Sequence, residues 1–310
     1  MNNSPPKVAV ALAAYNGTAY IAEQVDSILN QTGVEVTIFA SIDASSDETE
    51  AWFERLAKVE FRVKLLTCGE VFGSAAPNFL RLIRNLNLED FDYLSFSDQD
   101  DIWDQNKLIR AHRQMTAHEA NGYSSNVTAF WSSGKKRLIK KSQPQKEWDH
   151  FFEAAGTGCN YVVRRNLACA LQFTARQHRD RLSRLRYHDW FIYAFARING
   201  HRWIIDEHPT LLYRQHATNQ VGVNMGWKPF LKRVQKICTG EALGQATLIA
   251  QVSGLPMGHP VINLLKGGRI GMLRLALKAP HCRRKRIEQV FFFFSCVMAA
   301  LWTPSRRLGE

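Results

Sequence analysis

An uninterrupted apolar run of strand length, Val8 to Ala14, is followed by a Tyr15-Asn16-Gly17 turn and then by Ile21, Val25 and Ile28 at helical spacing up to Asn30. The same order recurs along the chain. Val34 to Ile42 reads as a strand, and Ser45-x-x-Glu48 reads as a capping box opening a helix that carries Trp52, Phe53 and Leu56. Phe61 to Leu66 and Phe91 to Phe96 are further strands, each followed by a helical segment, Asn78 to Leu86 and Lys107 to Glu119. Alternation sustained over residues 1 to 120 confines the chain to the α/β class, with a mainly parallel, doubly wound sheet.

The fourth strand runs into Phe96-Ser97-Asp98-Gln99-Asp100-Asp101-Ile102-Trp103, which sets three carboxylates within four positions. Such a cluster repels itself unless a cation sits in it, and open α/β sheets bind their ligands at the carboxyl ends of their strands. Hard oxygen ligands in an open cluster suit Mg²⁺ or Mn²⁺, ions that share their coordination with substrate phosphates. An EF-hand loop is excluded, because Ile102 and Trp103 fall where that loop needs a ligand and a glycine. A solvated acidic turn accounts for the same residues and stays open at this level.

Beyond residue 120 the alternation loosens. Strand-like pieces such as Val127 to Trp131 flank the basic run Lys135 to Lys141, which reads as a solvated loop or hairpin. Gly156-Thr157-Gly158 resembles a dinucleotide loop only superficially: Tyr161 takes the sixth position and no Gly-rich turn follows the first strand, which excludes a Rossmann dehydrogenase. Helical segments around Leu167 to Arg176 and Asp189 to Ile198 precede a strand-like Trp203 to Asp206. From Met225 the composition shifts to alternating basic and apolar stretches, including Arg283-Arg284-Lys285-Arg286 and the thirteen-residue run Val290 to Trp302. That run is short of the roughly 20 residues a helix needs to cross a bilayer. The alternation suggests a tail lying on an anionic membrane face, with a buried core helix as the plain alternative. The expected organisation is therefore residues 1–120 and 121–224 as two halves of one domain, with 225–310 as a basic, apolar tail.

A formal charge of +12 favours anionic partners, whether nucleic acid, nucleotide diphosphates or a membrane surface. Six scattered cysteines lack zinc-site spacing and read as reduced thiols, and the amino terminus lacks the apolar stretch of a secretory signal, so a cytoplasmic protein is expected.

Taken together, Ala13-Ala14-Tyr15-Asn16-Gly17, Ile42-Asp43-Ala44-Ser45-Ser46-Asp47, Asn78-Phe79, the acidic motif with its trailing Ile-Trp, His188-Asp189-Trp190, and Tyr213-Arg214-Gln215-His216-Ala217-Thr218-Asn219-Gln220-Val221-Gly222 resemble the family 2 glycosyltransferases, within them the bacterial rhamnosyltransferase-like branch. The match runs from Val8 to Gly222 and leaves the tail outside. The resemblance implies a GT-A fold, a nucleotide-diphospho-sugar donor, a divalent metal and inversion at the anomeric carbon. Members commonly carry two adjacent acids after the second strand; here Ile42 precedes Asp43, which matches the second.

By the same resemblance, Asp98 and Asp100 form the D-x-D pair that holds Mg²⁺ or Mn²⁺ against the diphosphate. Asp101 hydrogen-bonds the sugar or orients the metal's water shell, or else caps the following helix. Asp189 matches the general base, and burial beside Trp190 and Phe191 tends to raise its pKa; His188 reads as structural. Tyr15 is placed to stack on the nucleotide base and Asp43 to accept from its ring N–H, with a packed tyrosine and a turn aspartate as alternatives. Arg214 and His216 suit contact with the diphosphate or metal, or else form a salt-bridged loop.

The expected activity is an inverting, metal-dependent transfer of a sugar, with L-rhamnose from its dTDP form as a candidate. The acceptor is a lipid-linked or cell-surface glycan at the inner face of the cytoplasmic membrane, where the basic tail would meet anionic lipid. A nucleotidyltransferase lacks its Gly-rich phosphate loop here. A non-catalytic nucleotide-sugar-binding or scaffold protein is the rival of another class; nucleic acid is suggested by charge alone and is not expected as a partner.

Overall fold

The computed structural model describes residues 4–216 and 240–302. The chain opens with β1 (Lys7–Ala14), α1 (Ile21–Leu29), β2 (Glu35–Ile42), α2 (Thr49–Val59), β3 (Val63–Leu65), α3 (Ala75–Asn85) and β4 (Tyr93–Ser97). It continues with β5 (Ile102–Trp103), α4 (Lys107–Ala117), β6 (Gly122–Ser125), β7 (Val127–Trp131), β8 (Lys136–Ile139) and β9 (Val162–Arg164). Next come α5 (Arg165–Gln177), α6 (Arg179–Leu182), α7 (His188–Ile198), β10 (Trp203–Asp206) and β11 (Leu211–Gln215). Five helices close it: α8 (Glu241–Val252), α9 (Pro260–Lys266), α10 (Gly268–Leu277), α11 (Ala279–Cys282) and α12 (Arg286–Trp302).

Seven strands form one sheet in the order β10-β6-β9-β4-β1-β2-β3, parallel except where β9 runs against β4 and β6. This is the mainly parallel α/β sheet that the alternation requires. A second sheet, β5-β11-β7-β8, brings the strand that follows the acidic motif beside β11. The basic run Lys135 to Lys141 supplies β8, the exposed edge of a hairpin with β7.

β1 is buried along nearly its whole length and shows why its apolar run does not alternate with polar residues. Val8, Val10, Leu12 and Ala14 enter the core cluster on one face, and Ala9, Ala11 and Ala13 enter the cluster on the other. The all-alanine face lets α3 lie close to the sheet with Phe79, Leu82 and Ile83 buried, and α3 in turn packs on α5 and α7.

Two expectations need correction. Ser45 does not cap α2: its hydroxyl donates to the Asp43 carbonyl and accepts from Asn16 N–H, and the helix begins at Thr49, whose N–H is held by the Asp47 carboxylate. The competition is won by the turn, which uses Ser45 to tie two strand ends together. The second concerns Arg284 of the basic run, which is buried rather than facing outward. Its guanidinium bonds the Asp149 carboxylate and the Ala154 carbonyl, and its backbone N–H bonds Glu153. The helices α8 to α12 share their buried residues with the same cluster that holds α3 and α7.

Candidate active site

The carboxyl ends of β1, β2 and β4 lie side by side, with Ala14 paired to Ile42 and Leu12 to Ser97, so the loops that follow them form one rim. Asn16 turns the chain with a φ of 47°, its side-chain oxygen accepting from Ser46 N–H, while Gly17 N–H donates to Thr49. Tyr15 stands exposed on this rim. Its backbone forms two hydrogen bonds with the side-chain amide of Gln99, N–H to Oε1 at 2.6 Å and carbonyl to Nε2 at 2.7 Å. A Cβ on Gly17 would sit 2.6 Å from Gln99 Oε1, so the glycine is what allows this approach.

Asp43 is buried and organises a neighbouring loop. Its carboxylate accepts from the backbone N–H groups of Ala44, Phe72 and Gly73 at 2.7–2.9 Å. A carboxylate has about four acceptor positions, so one is left for a ligand donor.

The acidic loop is braced from below by α1. Gln24, fully buried, donates to Ser97, and Gln31 accepts from Leu108 N–H and donates to the Asp104 carbonyl. Asp98, Asp101 and Cys159 bring their ligand atoms within 4.8 Å of one another. Asp101 is fully buried and directly precedes β5, while α4 starts at Lys107 with Asn106 at its flank, so Asp101 caps no helix. One of its oxygens accepts from Arg214 N–H and the other has no hydrogen-bond partner among the described residues. Burial, then the Asp100 charge and also that of Asp189, pushes Asp98 up to about 7. Burial, with Asp100 and Asp98, raises Asp101 well above the ordinary carboxylate range. Charge repulsion of this kind, together with an unpartnered carboxylate oxygen, is the environment that a hard divalent cation relieves.

β11 carries Arg214 and His216 across the same loop. His216 Nε2 lies 2.7 Å from Asp100 Oδ2, and its ring stacks on Tyr20. Arg214 donates from Nε to the Asp100 carbonyl, pairs with Glu23, and lies between the rings of Tyr20 and Phe130, 4.6 Å from each centroid. The clustered carboxylates of Asp98 and Asp101, with the Asp100 charge beside them, are hard oxygen donors that fit Mg²⁺ or Mn²⁺. The part of this motif from Ala217 to Gly222 lies outside the described residues.

Asp189, at the start of α7, accepts from Trp190 N–H, and burial raises its pKa to about 6. His188 beside it stacks on Phe79 at 4.1 Å, and burial lowers its pKa to about 3, which marks it as a neutral packing residue. Gly158 makes room for both: a Cβ there would meet His188 Nε2 at 2.4 Å and the Asp189 Cβ at 3.1 Å.

The structure therefore brings together Asp98, Asp100, Asp101, Arg214 and His216, and holds Tyr15 on the same rim through Gln99. Gln99, Tyr20, Glu23 and Cys159 escape the sequence reading. Gln99 could have been found, since a polar residue between two carboxylates invites the question of what it bonds. Cys159 carries no such signal, because only tertiary folding places it behind the acidic loop.

Residues 9–171 match the family described as Glycosyl transferase family 2. The chain is 38% identical over 288 residues to the dTDP-rhamnosyl transferase RfbG of Shigella flexneri, covering 93% of this chain and 99% of that protein. It is 29% identical over 159 residues to the UDP-Glc:alpha-D-GlcNAc-diphosphoundecaprenol beta-1,3-glucosyltransferase WfgD of Escherichia coli, covering 50% of this chain and 59% of that one. The crystal structure of S. aureus TarS 1-349 in complex with UDP-GlcNAc has a similar fold, with a TM-score of 0.55 at 12% identity over 94% of this chain and 91% of that chain.

Proposed function

Because the chain belongs to glycosyl transferase family 2 and is a rhamnosyltransferase-like glycosyltransferase of GT-A fold, we propose that it transfers a sugar with inversion from a nucleotide-diphosphate donor, with dTDP-L-rhamnose the first candidate. The observation that carries this reading is the acidic loop at the end of β4, where Asp98 and Asp101 bring ligand atoms within 4.8 Å of each other and His216 lies 2.7 Å from Asp100, next to the rim that holds Tyr15 and Asp43. Tyr15 would offer its ring to the base and Asp43 its remaining acceptor position to the base N–H.

Asp98, Asp100 and Asp101 would hold a divalent cation, with His216 beside Asp100, and the bound cation would neutralise charge on the departing diphosphate. Arg214 steadies this loop through the Asp100 carbonyl. Asp189 would take the proton of the attacking hydroxyl, and its raised pKa brings it nearer the operating range of a general base. The acceptor we propose is a lipid-linked or cell-surface glycan, met at the inner face of the cytoplasmic membrane. Among the described residues no helix is long and apolar enough to cross a membrane, so the association would be peripheral. A non-catalytic nucleotide-sugar-binding protein would leave Asp189 idle.

The test is a panel of nucleotide sugars assayed for release of nucleoside diphosphate, with added Mg²⁺ or Mn²⁺ and with chelator. Turnover of dTDP-rhamnose that falls to background with chelator, and in Asp100→Asn with its fold intact, is the expected result. Full activity in excess chelator would remove the metal, and no release from any donor would remove the enzyme.

A further inference from the structure

α10 and α12 pack on each other and bury one face each in the core cluster, through Met272, Leu275 and Ala276 on one and Phe292, Cys296 and Ala299 on the other. Their other faces carry exposed apolar side chains. Ile270, Leu273 and Leu277 recur at helical spacing along α10, with Leu277 73% exposed. Ile287, Phe291 and Phe294 do the same along α12, with Phe294 58% exposed. Two neighbouring helices with outward apolar stripes are more than scattered surface hydrophobics, and such patches mark contact sites.

The charge around these stripes is of one sign. From Pro260 to Trp302 the chain has eight Lys or Arg and a single acid, Glu288. Arg284 is buried against Asp149, and Arg283 bonds the Phe152 carbonyl and lies 3.9 Å from Glu288, which engages that acid. Lys266, Arg274, Lys278 and Arg286 are exposed and Lys285 is half-buried.

We propose that the outward stripes of α10 and α12 form a docking platform for an anionic phospholipid bilayer. The proposal rests on the membrane location given above and names the surface that achieves it. Apolar side chains enter the interface while the flanking cations meet lipid phosphates, the pairing that holds amphipathic helices in a membrane surface. A second copy of the chain is a poorer occupant, because an isologous contact would set these cations against themselves. Arg284 gives the platform its footing: it ties the segment before α12 to Asp149, whose carboxylate also accepts from Tyr193 of α7.

The experiment is co-sedimentation of the full chain with vesicles of phosphatidylcholine alone or mixed with phosphatidylglycerol, at low and physiological salt. Binding is expected to the mixed vesicles, weakening with salt as the charges are screened over about 8 Å at physiological ionic strength. Leu277→Asp with Phe294→Asp should lower the partition coefficient at least ~10-fold, since it sets two charges in the apolar layer. Arg274→Gln and Lys278→Gln keep the fold even if the aspartates do not, and should cost about fivefold each at low salt. Wild-type protein that ignores anionic vesicles, or variants that bind as well as wild type, would overturn the platform. So would a dimer, seen by sedimentation velocity, that these substitutions dissociate. Vesicle binding requires no sugar transfer, so failure here and failure of the donor assay are separate results.

Discussion

At the scale of single residues, two carboxylates have different surroundings and, in the proposed reaction, different tasks. Asp100 is held by His216, whereas Asp189 is buried at the start of α7 and accepts from Trp190 N–H at its own end of the helix. Burial is the largest influence on Asp189 and raises it to about 6; the Trp190 N–H and the Lys141 charge oppose it. A base acts in its ionised form, so transfer should rise with pH through about 6 and fall below it. Asp189→Asn should lower transfer by ~10²-fold or more, the scale of general-base assistance, leave donor affinity near wild type, and erase that acidic limb. A variant that loses donor affinity yet transfers normally at saturation would contradict the assignment. Asp98, Asp100 and Asp189 stand out in the sequence because each lies in a motif of acidic or aromatic residues. Asp43 was legible as a position but not as an environment: nothing in the residues around it announces that Phe72 and Gly73, thirty residues on, will occupy its oxygens.

Among the elements, long apolar or amphipathic segments were readable and short ones were not. β5 has two residues and β9 three, too few for any period to show, and β11 lies in a motif whose polar residues mask a strand. Gln24 in α1 and Gln31 just beyond it look like wet positions, yet both are buried, because the acidic loop and the β5–α4 turn fold over them and take their amides as braces. The basic run before α12 was readable as charge but not as direction. Asp149 shows how firmly it is anchored. Burial would raise its carboxyl, but His150, Arg284 and Arg197 outweigh that and hold it below 3.8. A depressed carboxylate contributes stability above its unfolded pKa and loses it as pH falls through its folded one. Arg284→Met strands part of that charge and should cost about 3 kcal/mol near neutral pH, by analogy with other broken buried pairs. The deficit, read by urea unfolding, should narrow as pH falls below the ordinary carboxylate range and Asp149 takes a proton. An unchanged midpoint would show that α12 is held by its apolar face alone.

For the whole molecule, the alternation of strands and helices was enough to reach the sheet, and the order of the motifs was enough to reach the family. What could not be read was thickness. The three alanines that β1 turns toward α3 set how near that helix lies, and α3 carries Phe79, on which His188 stacks directly before Asp189. The spacing between the acidic loop and the far carboxylate is thus gauged by three methyl groups that touch neither. A shim of two carbons at the middle of the row, Ala11→Val, should cost about 1–3 kcal/mol as overpacking does. It should also depress transfer more than donor binding, since the donor rim lies on the strand ends while Asp189 rides on the displaced stack. Loss of stability with an unaltered ratio of the two would mean the stack yields elsewhere. If the ratio changes, the reach of this active site is a dimension machined into its floor, and alanine is the tolerance to which it was cut.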